Sequence, residues 1–307
     1  MKALVGHTGF VGSNLCNQVC FEGLFNSRNI RDIDDKNSDL VIYAGVRAEK
    51  YLANLHPEQD RRHIEDTIEN IKRIKARKFV LISTIDIYRD PVGVDETTMV
   101  DEAGLQPYGL HRRALEKWVE ANIADSLIVR LPALYGRNLK KNFLFDMMNL
   151  IPTMIKVEKY QELLLKNDFN LNRYYTAQGN DFYKVNELSA KDRETLKQFF
   201  QTKDFNALVY NDSRNQYQFY NVKYLWNHIE QALKQGLRLL NITSEPLPVK
   251  EIYEYVYHQE FTNIMNSRPA RYDIRSIHAG LFSGENGYIF NKQFVLDDIQ
   301  CFVNEGK

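Results

Sequence analysis

The segment KALVGHTGFVGSNL (residues 2–15) restricts the fold more than any other stretch of the chain. A short apolar run ends at Gly6, and Gly6, Gly9 and Gly12 then recur at every third position. Val11, Leu15 and Val19 follow at i, i+4 and i+8, the spacing of one helix face. A strand, a glycine turn and a helix in that order bring free backbone N–H groups and the positive end of a helix dipole to one point. Glycine lets the chain turn tightly there and lets a pyrophosphate come close to the backbone. Gly6, Gly9, Phe10, Val11 and Gly12 are therefore candidate dinucleotide-binding positions. The plainer alternative is a glycine turn that only packs strand on helix.

The alternation continues through the first half. DLVIYAG (39–45), KFVLIST (78–84) and SLIVRLP (126–132) read as buried strands, and Leu24-Phe25 as a short one. Ile64, Ile68, Ile71 and Ile74 form an apolar stripe in a charged segment, and Leu110, Ala114, Leu115, Trp118 and Val119 form another. Strands alternating with helices predict an α/β fold, a Rossmann-type doubly wound parallel sheet covered on both faces. After Pro132 the pattern loosens, and residues 157–205 are charged and poorly periodic. ALVY (207–210) and LRLLNIT (237–243) read as strands with a helix at 222–235 between them; 249–256 and 295–303 read as helices. The expected organisation is an NAD(P)-binding domain over 1–136 and a smaller substrate-binding lobe over 137–307. Segments near 205–243 are expected to rejoin the first sheet.

Lys+Arg and Asp+Glu are both 40 in the 307 residues, so no net field favours nucleic acid or an anionic membrane. No run approaches the roughly 20 apolar residues a membrane span needs. The N-terminus has glycines and polar residues where a signal peptide needs an apolar stretch. Cys16, Cys20 and Cys301 are too few for a disulfide scaffold and fit a reducing compartment. Cys16 and Cys20, at i and i+4, read as core residues. The expectation is a cytoplasmic protein with a small-molecule partner, no nucleic acid and no membrane. Its seven histidines are scattered and form no metal motif. Its 18 Tyr and 17 Phe, mostly beyond residue 135, read chiefly as core packing.

The residues after the second strand bear on the cofactor. An NAD-binding chain usually places an acid there, to hold the ribose 2′-OH. Here the first polar residues are Asn26, Ser27 and Arg28, while Asp32, Asp34 and Asp35 come later. A guanidinium beside a hydroxyl suits a 2′-phosphate. NADP(H) is favoured over NAD(H) on this ground. Ala44 and Gly45, ending the third strand, complete the candidate cofactor positions.

KFVLISTIDIY (78–88) ends a strand with Ser83, Thr84, Asp86 and Tyr88, where ligands of such sheets sit. Tyr108 follows in PYGLHRRALEKW. Together GHTGFVG, STIDIY and the tyrosine of PYG resemble the extended short-chain dehydrogenase/reductases, particularly nucleotide-sugar epimerases, dehydratases and 4-ketoreductases. RLPALYG (130–136) and NIT-x-EPLPVKEI (241–252) resemble later segments of that family. The resemblance implies that Thr84 is the catalytic Ser/Thr and Tyr108 the tyrosine that passes a proton to or from the substrate oxygen. It also places the lysine of Tyr-x-x-x-Lys at position 112, where this chain has Arg112. In the family that lysine holds the nicotinamide ribose and lowers the tyrosine pKa. Arg214, seven residues before Asn221, resembles a diphosphate-binding arginine. Homodimers through a helix pair are usual in the family.

Arginine supplies a permanent charge and a fork that spans two ribose hydroxyls, but it cannot give up a proton. His111 is adjacent, and histidine is a side-chain type that can carry protons. Arg47, Asp86 and Asn142 (beside Lys141) join Arg214 as candidate substrate contacts, and Tyr217, Phe219 and Tyr220 read mainly as core. Three functions remain open. The first is NADP(H)-dependent reduction of a nucleotide-activated keto sugar. The second is an NAD-dependent epimerase or dehydratase, and the third a non-catalytic NADP(H)-binding regulator.

Overall fold

The computed structural model describes residues 1–34, 36–166, 168–178 and 181–305. Asp35 therefore lies outside the described residues. The chain runs through β1 (Lys2–Val5), α1 (Phe10–Cys16), β2 (Gly23–Phe25), β3 (Asn37–Tyr43), α2 (Lys50–Leu55), α3 (Pro57–Ile71), β4 (Lys75–Thr84) and β5 (Val92–Val94). Next come α4 (Pro107–Asn122), β6 (Ser126–Leu131), β7 (Ala133–Tyr135), α5 (Phe143–Asn149), β8 (Met154–Lys156), α6 (Val157–Leu165), β9 (Tyr175–Ala177), β10 (Phe182–Val185) and α7 (Ala190–Gln201). The last part holds β11 (Gln216–Tyr217), β12 (Phe219–Asn221), α8 (Leu225–Lys234), β13 (Leu239–Asn241), β14 (Leu247–Pro248), α9 (Val249–Tyr257), β15 (Asp273–Ile274) and α10 (Lys292–Glu305).

The described residues fall into two compact units. One combines Met1–Leu139, Gln216–Pro248 and Ala270–Lys307; the other combines Lys140–Asn215 and Val249–Pro269. The first unit is built on a six-stranded parallel sheet in the order β13-β6-β4-β3-β1-β2. Strand order reverses between β1 and β3, the position where doubly wound sheets open a crevice at their carboxyl ends.

Period-two alternation explains the two covered faces. Ala3, Val5, Val41, Tyr43, Phe79 and Leu81 point to the side where Ile64 and Ile71 of α3 and Leu115 and Val119 of α4 pack. Leu4, Leu40, Ile42 and Val80 face the opposite side, against Leu15 of α1 and Leu225, Ile229 and Ala232 of α8. Each such side chain contributes about 1.5–3 kcal/mol by leaving water. Both long helices on the first face start with proline at their first turn, where a missing N–H costs nothing.

The second unit carries the antiparallel β8-β10-β9 sheet and an aromatic core. Tyr160 stacks on Tyr183 with ring centroids 3.8 Å apart, and Phe169 on Phe199 at 4.4 Å. The weak periodicity of 157–205 thus hides short elements joined by aromatic packing.

Three local expectations change. ALVY is a 3-10 turn (Ala207–Tyr210) rather than a strand, because the Asn206 side chain accepts from Leu208 N at 2.9 Å and closes the turn. Cys16 and Cys20 are exposed, since α1 ends at Cys16 and Leu15 takes the inward position. Val19 consequently lies beyond the helix. Tyr220 and Phe219 are core residues, while Tyr217 is half-buried against Tyr272 with centroids 5.7 Å apart. Among the described residues no helix is long and apolar enough to cross a membrane.

Candidate active site

The glycine loop leaves β1 at the crevice. Gly6 has φ +90°, and its N–H donates to Phe25 O at 2.7 Å. A Cβ at Gly6 would stand 2.5 Å from Ala44 O, and one at Gly12 would stand 2.2 Å from Gly6 O. Both positions exclude any other residue. At Gly9 a Cβ would come 3.3 Å from Gly6 O, a tolerable approach, so close packing demands glycine at only two of the three. This tight turn, opening into α1 with Phe10 and Val11 partly buried behind it, is the candidate cradle for a pyrophosphate. Ala44 and Gly45 follow β3 directly against it.

Beyond β2, the Asn26 side chain accepts from Arg28 N at 2.9 Å and Asn26 N donates to Asn29 Oδ1 at 2.8 Å. The turn leaves the Ser27 and Arg28 side chains exposed. The Arg28 side chain has no protein partner among the described residues. No carboxylate stands at positions 26–28.

Thr84 ends β4, and its hydroxyl accepts from Asp86 N at 3.2 Å. Tyr108, in the first turn of α4, is buried, and its N–H donates to Asn54 Oδ1 at 3.0 Å. The fold brings Thr84 close enough to the Tyr108 phenol to act on its ionisation. Burial raises the Tyr108 pKa above its ordinary value. The Arg112 charge opposes this, Asp86 adds to it, and Thr84 and Lys50 pull it back in part.

Arg112 is almost wholly buried, at 3% exposure. Its Nη1 donates to Asp60 Oδ2 and, at 3.3 Å, to Tyr108 O. Its Nη2 donates to Arg47 O at 2.6 Å, and its Nε is buried without a partner. The guanidinium carbon stands 4.0 Å from the centre of the Tyr108 ring, a cation–π contact. His111 Nδ1 lies 2.8 Å from the same Asp60 oxygen. Burial raises the Asp60 carboxyl, but the hydrogen bonds from Arg112 and His111 outweigh it and leave the pKa lowered.

A second cluster lies beside Tyr108. Lys50 Nζ donates to Asp86 Oδ1 at 2.7 Å, and Tyr272 Oη donates to the same oxygen at 2.8 Å. The Arg47 side chain is exposed. Ser83 and Tyr88 serve the interior instead. Ser83 donates to Glu116 Oε1 at 2.6 Å, and Tyr88 donates to Asp95 O at 2.7 Å.

The remaining candidates belong to the other unit. Asn142, at φ 96°, caps α5 by accepting from Phe145 N at 3.2 Å. Arg214 is bidentate on Asp212, with Nε at 2.9 Å and Nη2 at 2.6 Å. Asn221, its proposed counterpart, is buried in the first unit and donates to Asp298 at 2.7 Å. Among the described residues no group of His, Cys, Asp and Glu is placed to hold a metal ion.

Sequence reading missed Asp60, Lys50, Asn54 and Tyr272. One signal existed for Asp60: it shares a stripe with Ile64, Thr67 and Ile71, all buried on α3. An acid on an apolar stripe needs a buried cation. Nothing local marks Lys50 or Tyr272, which meet only through tertiary contact.

The family model for the NAD dependent epimerase/dehydratase family matches residues 23–176, just over half of the chain. The chain belongs to that family. It is thus an NAD(P)-dependent enzyme of the short-chain dehydrogenase/reductase type, an oxidoreductase or epimerase. No curated protein sequence matches this family member. Its fold is similar to that of RMD from Pseudomonas aeruginosa, solved with NADPH, at TM-score 0.62 and 16% identity, covering 100% of this chain and 99% of that one. It is also similar to a dTDP-4-dehydrorhamnose reductase from Clostridium acetobutylicum, at TM-score 0.61 and 13% identity, over 99% and 100% of the two chains. A UDP-glucuronic acid 4-epimerase from Bacillus cereus, solved with NAD, gives TM-score 0.58 and 15% identity over 100% of both.

Proposed function

We propose that this family member reduces the keto group of a nucleotide-activated sugar with NADPH. The observation that carries the reading is the buried Tyr108 phenol beside Thr84 at the carboxyl end of β4. Burial raises its pKa, so at neutral pH the phenol keeps its proton. A protonated tyrosine is prepared to give a proton to a carbonyl oxygen, the need of a reduction. An oxidation or epimerisation would need the phenolate first.

In this reading the backbone N–H groups of Phe10 and Val11 and the Gly6–Gly12 turn, closed by the Gly9 N–H donating to Gly6 O at 3.0 Å, hold the pyrophosphate. Ala44 and Gly45 wall the same crevice, and Asn26, Ser27 and Arg28 receive a ribose 2′-phosphate. Bound NADPH supplies a hydride to the sugar carbonyl carbon. Thr84 orients the carbonyl oxygen, and Tyr108 gives it the phenolic proton. Arg112 acts from below the ring: its hydrogen bonds go to Asp60, Tyr108 O and Arg47 O, and its charge reaches the phenol. Arg47 and Asp86 are the substrate-side candidates within the sheet unit. The reductases among the similar folds support this reading, since three of them are dTDP-4-dehydrorhamnose reductases and RMD was solved with NADPH.

The test mixes the protein and NADPH with a panel of dTDP- and UDP-linked 4-keto sugars and follows nicotinamide absorbance. A reductase consumes NADPH in proportion to sugar. Interconversion of sugars at constant NADPH, with NAD retained through purification, identifies an epimerase instead. Tyr108→Phe is expected to lower kcat by about a hundredfold or more. Arg28→Ala is expected to weaken NADPH binding and leave NADH binding unchanged.

A further inference from the structure

Position 112 is where this chain departs from the Tyr-x-x-x-Lys pattern, and the departure has a counterpart elsewhere. The Arg112 guanidinium is buried, shares its charge with Asp60 and cannot exchange a proton. The ammonium missing from α4 is present at the start of α2. Lys50 Nζ donates to Asp86 Oδ1 at 2.7 Å and to Tyr272 Oη at 3.3 Å. Tyr272 Oη donates to that same Asp86 oxygen at 2.8 Å, closing a triangle. Three separate parts of the chain meet here: the segment after β3, the turn after β4 and the residue before β15. All belong to one compact unit with Tyr108 and Thr84.

An exposed ion pair is usually worth little and signifies little. This one differs in two respects. Asp86 is only 20% exposed, and the partly buried Tyr272 hydroxyl fixes its carboxylate. Lys50 is 47% exposed and spends two of its three N–H donors, so one stays available on the solvent side. Asp86 sits two residues beyond Thr84, whose hydroxyl accepts its N–H, so the carboxylate is bound into the Thr84 turn.

We propose that Lys50 is a positioning residue for Tyr108, offsetting the charge of the Asp86 carboxylate beside the phenol while the Arg112 charge is shared with Asp60. The inference rests on the reading of Tyr108 as proton donor. The charged and titratable groups around that phenol are Arg112 and His111 on its own helix, Asp60 and His63 from α3, Asp86 after β4, Lys50 from α2, and Tyr272. Among them Asp86 disfavours the phenolate, and Lys50 balances Asp86. Removing Lys50 takes away a cation and leaves that anion unopposed. Both effects move Tyr108 ionisation to higher pH.

The experiment uses the intact protein labelled with 13Cζ-tyrosine, with Tyr108→Phe to assign the resonance. The Tyr108 midpoint is followed by NMR in the native chain, Lys50→Met, Lys50→Arg and the double variant Lys50→Met/Asp86→Asn. An upward shift in Lys50→Met, restored by Lys50→Arg and by the double variant, supports the proposal. An unchanged midpoint in Lys50→Met overturns it. So does a Tyr108 that stays protonated in every protein to about pH 11, a unit above the ordinary tyrosine value. On a keto sugar that the native enzyme reduces, Lys50→Met should lose about tenfold in kcat at constant KM, with the alkaline limb moved to higher pH. An equal loss in Lys50→Arg, with no shift of that limb, points to a structural role and overturns the proposal. If the native enzyme reduces no sugar of the panel, the reductase reading fails, and the Tyr108 midpoints alone then support or overturn the Lys50 assignment.

Discussion

Arg112 shows how much a residue's partners decide about its chemistry. A guanidinium in water could span two ribose hydroxyls, but here both Nη atoms have protein acceptors and the group stacks beneath Tyr108. Asp60 makes this arrangement stable, because a buried cation without a counter-charge costs several kcal/mol. Asp60→Asn should therefore destabilise the protein by about 3–5 kcal/mol at neutral pH, measured by denaturant unfolding. The pH dependence has a definite sign. The folded pKa of Asp60 lies below its ordinary value of 3.8. Its contribution is present above that value and is lost as pH falls through the folded pKa. The native protein should lose stability over that acid range more steeply than Asp60→Asn. Equal slopes would show that Asp60 is not held as an anion.

Helix α4 carries two functions along one buried face, with Tyr108, Arg112 and Glu116 at i, i+4 and i+8. Its first turns present Tyr108 and Arg112; further along, Glu116 is fully buried against Arg130 of β6. Arg130 Nε and Nη2 reach the two carboxylate oxygens at 3.0 and 2.7 Å, Ser83 donates at 2.6 Å and Arg113 at 3.1 Å. Arg130 Nη1 continues to Tyr88 Oη at 2.8 Å. This network ties α4 to β4 and β6 and so fixes where Tyr108 meets Thr84. Glu116→Gln leaves Arg130 buried and uncompensated, with an expected loss of about 3–5 kcal/mol. Replacing both partners, Glu116→Gln with Arg130→Met, should recover part of that loss in a thermal melt. The helix itself was legible from its apolar spacing and Pro107. The ion pair was not, because Glu116 and Arg130 read in isolation as ordinary charged residues.

At the scale of the molecule, the sheet unit is discontinuous in sequence. Gln216–Pro248 and Ala270–Lys307 return to it, bringing β13 to the edge of β6 and α8 onto its face. A chain ending at Leu139 would leave β6 an open edge and strip Leu225, Ile229, Leu240 and Ile242 from the core. Such a chain is expected to show no cooperative thermal transition by circular dichroism and to aggregate on size exclusion. A sharp transition would show that the first 139 residues suffice to fold.

The resemblance to the short-chain dehydrogenase/reductases supplied Thr84 and Tyr108 as candidates, while the sequence alone determined the strand–glycine–helix opening and the parallel α/β class. Those features are local: periodicity, glycine conformation and short spacings act within a few residues or along one element. The Arg112–Asp60 lock and the Lys50–Asp86–Tyr272 triangle were decided only by tertiary structure. A side chain's charge state and free donors depend on what folding places within about 3 Å of it. For Lys50 and Tyr272 that neighbour lies 36 and 186 residues away along the chain.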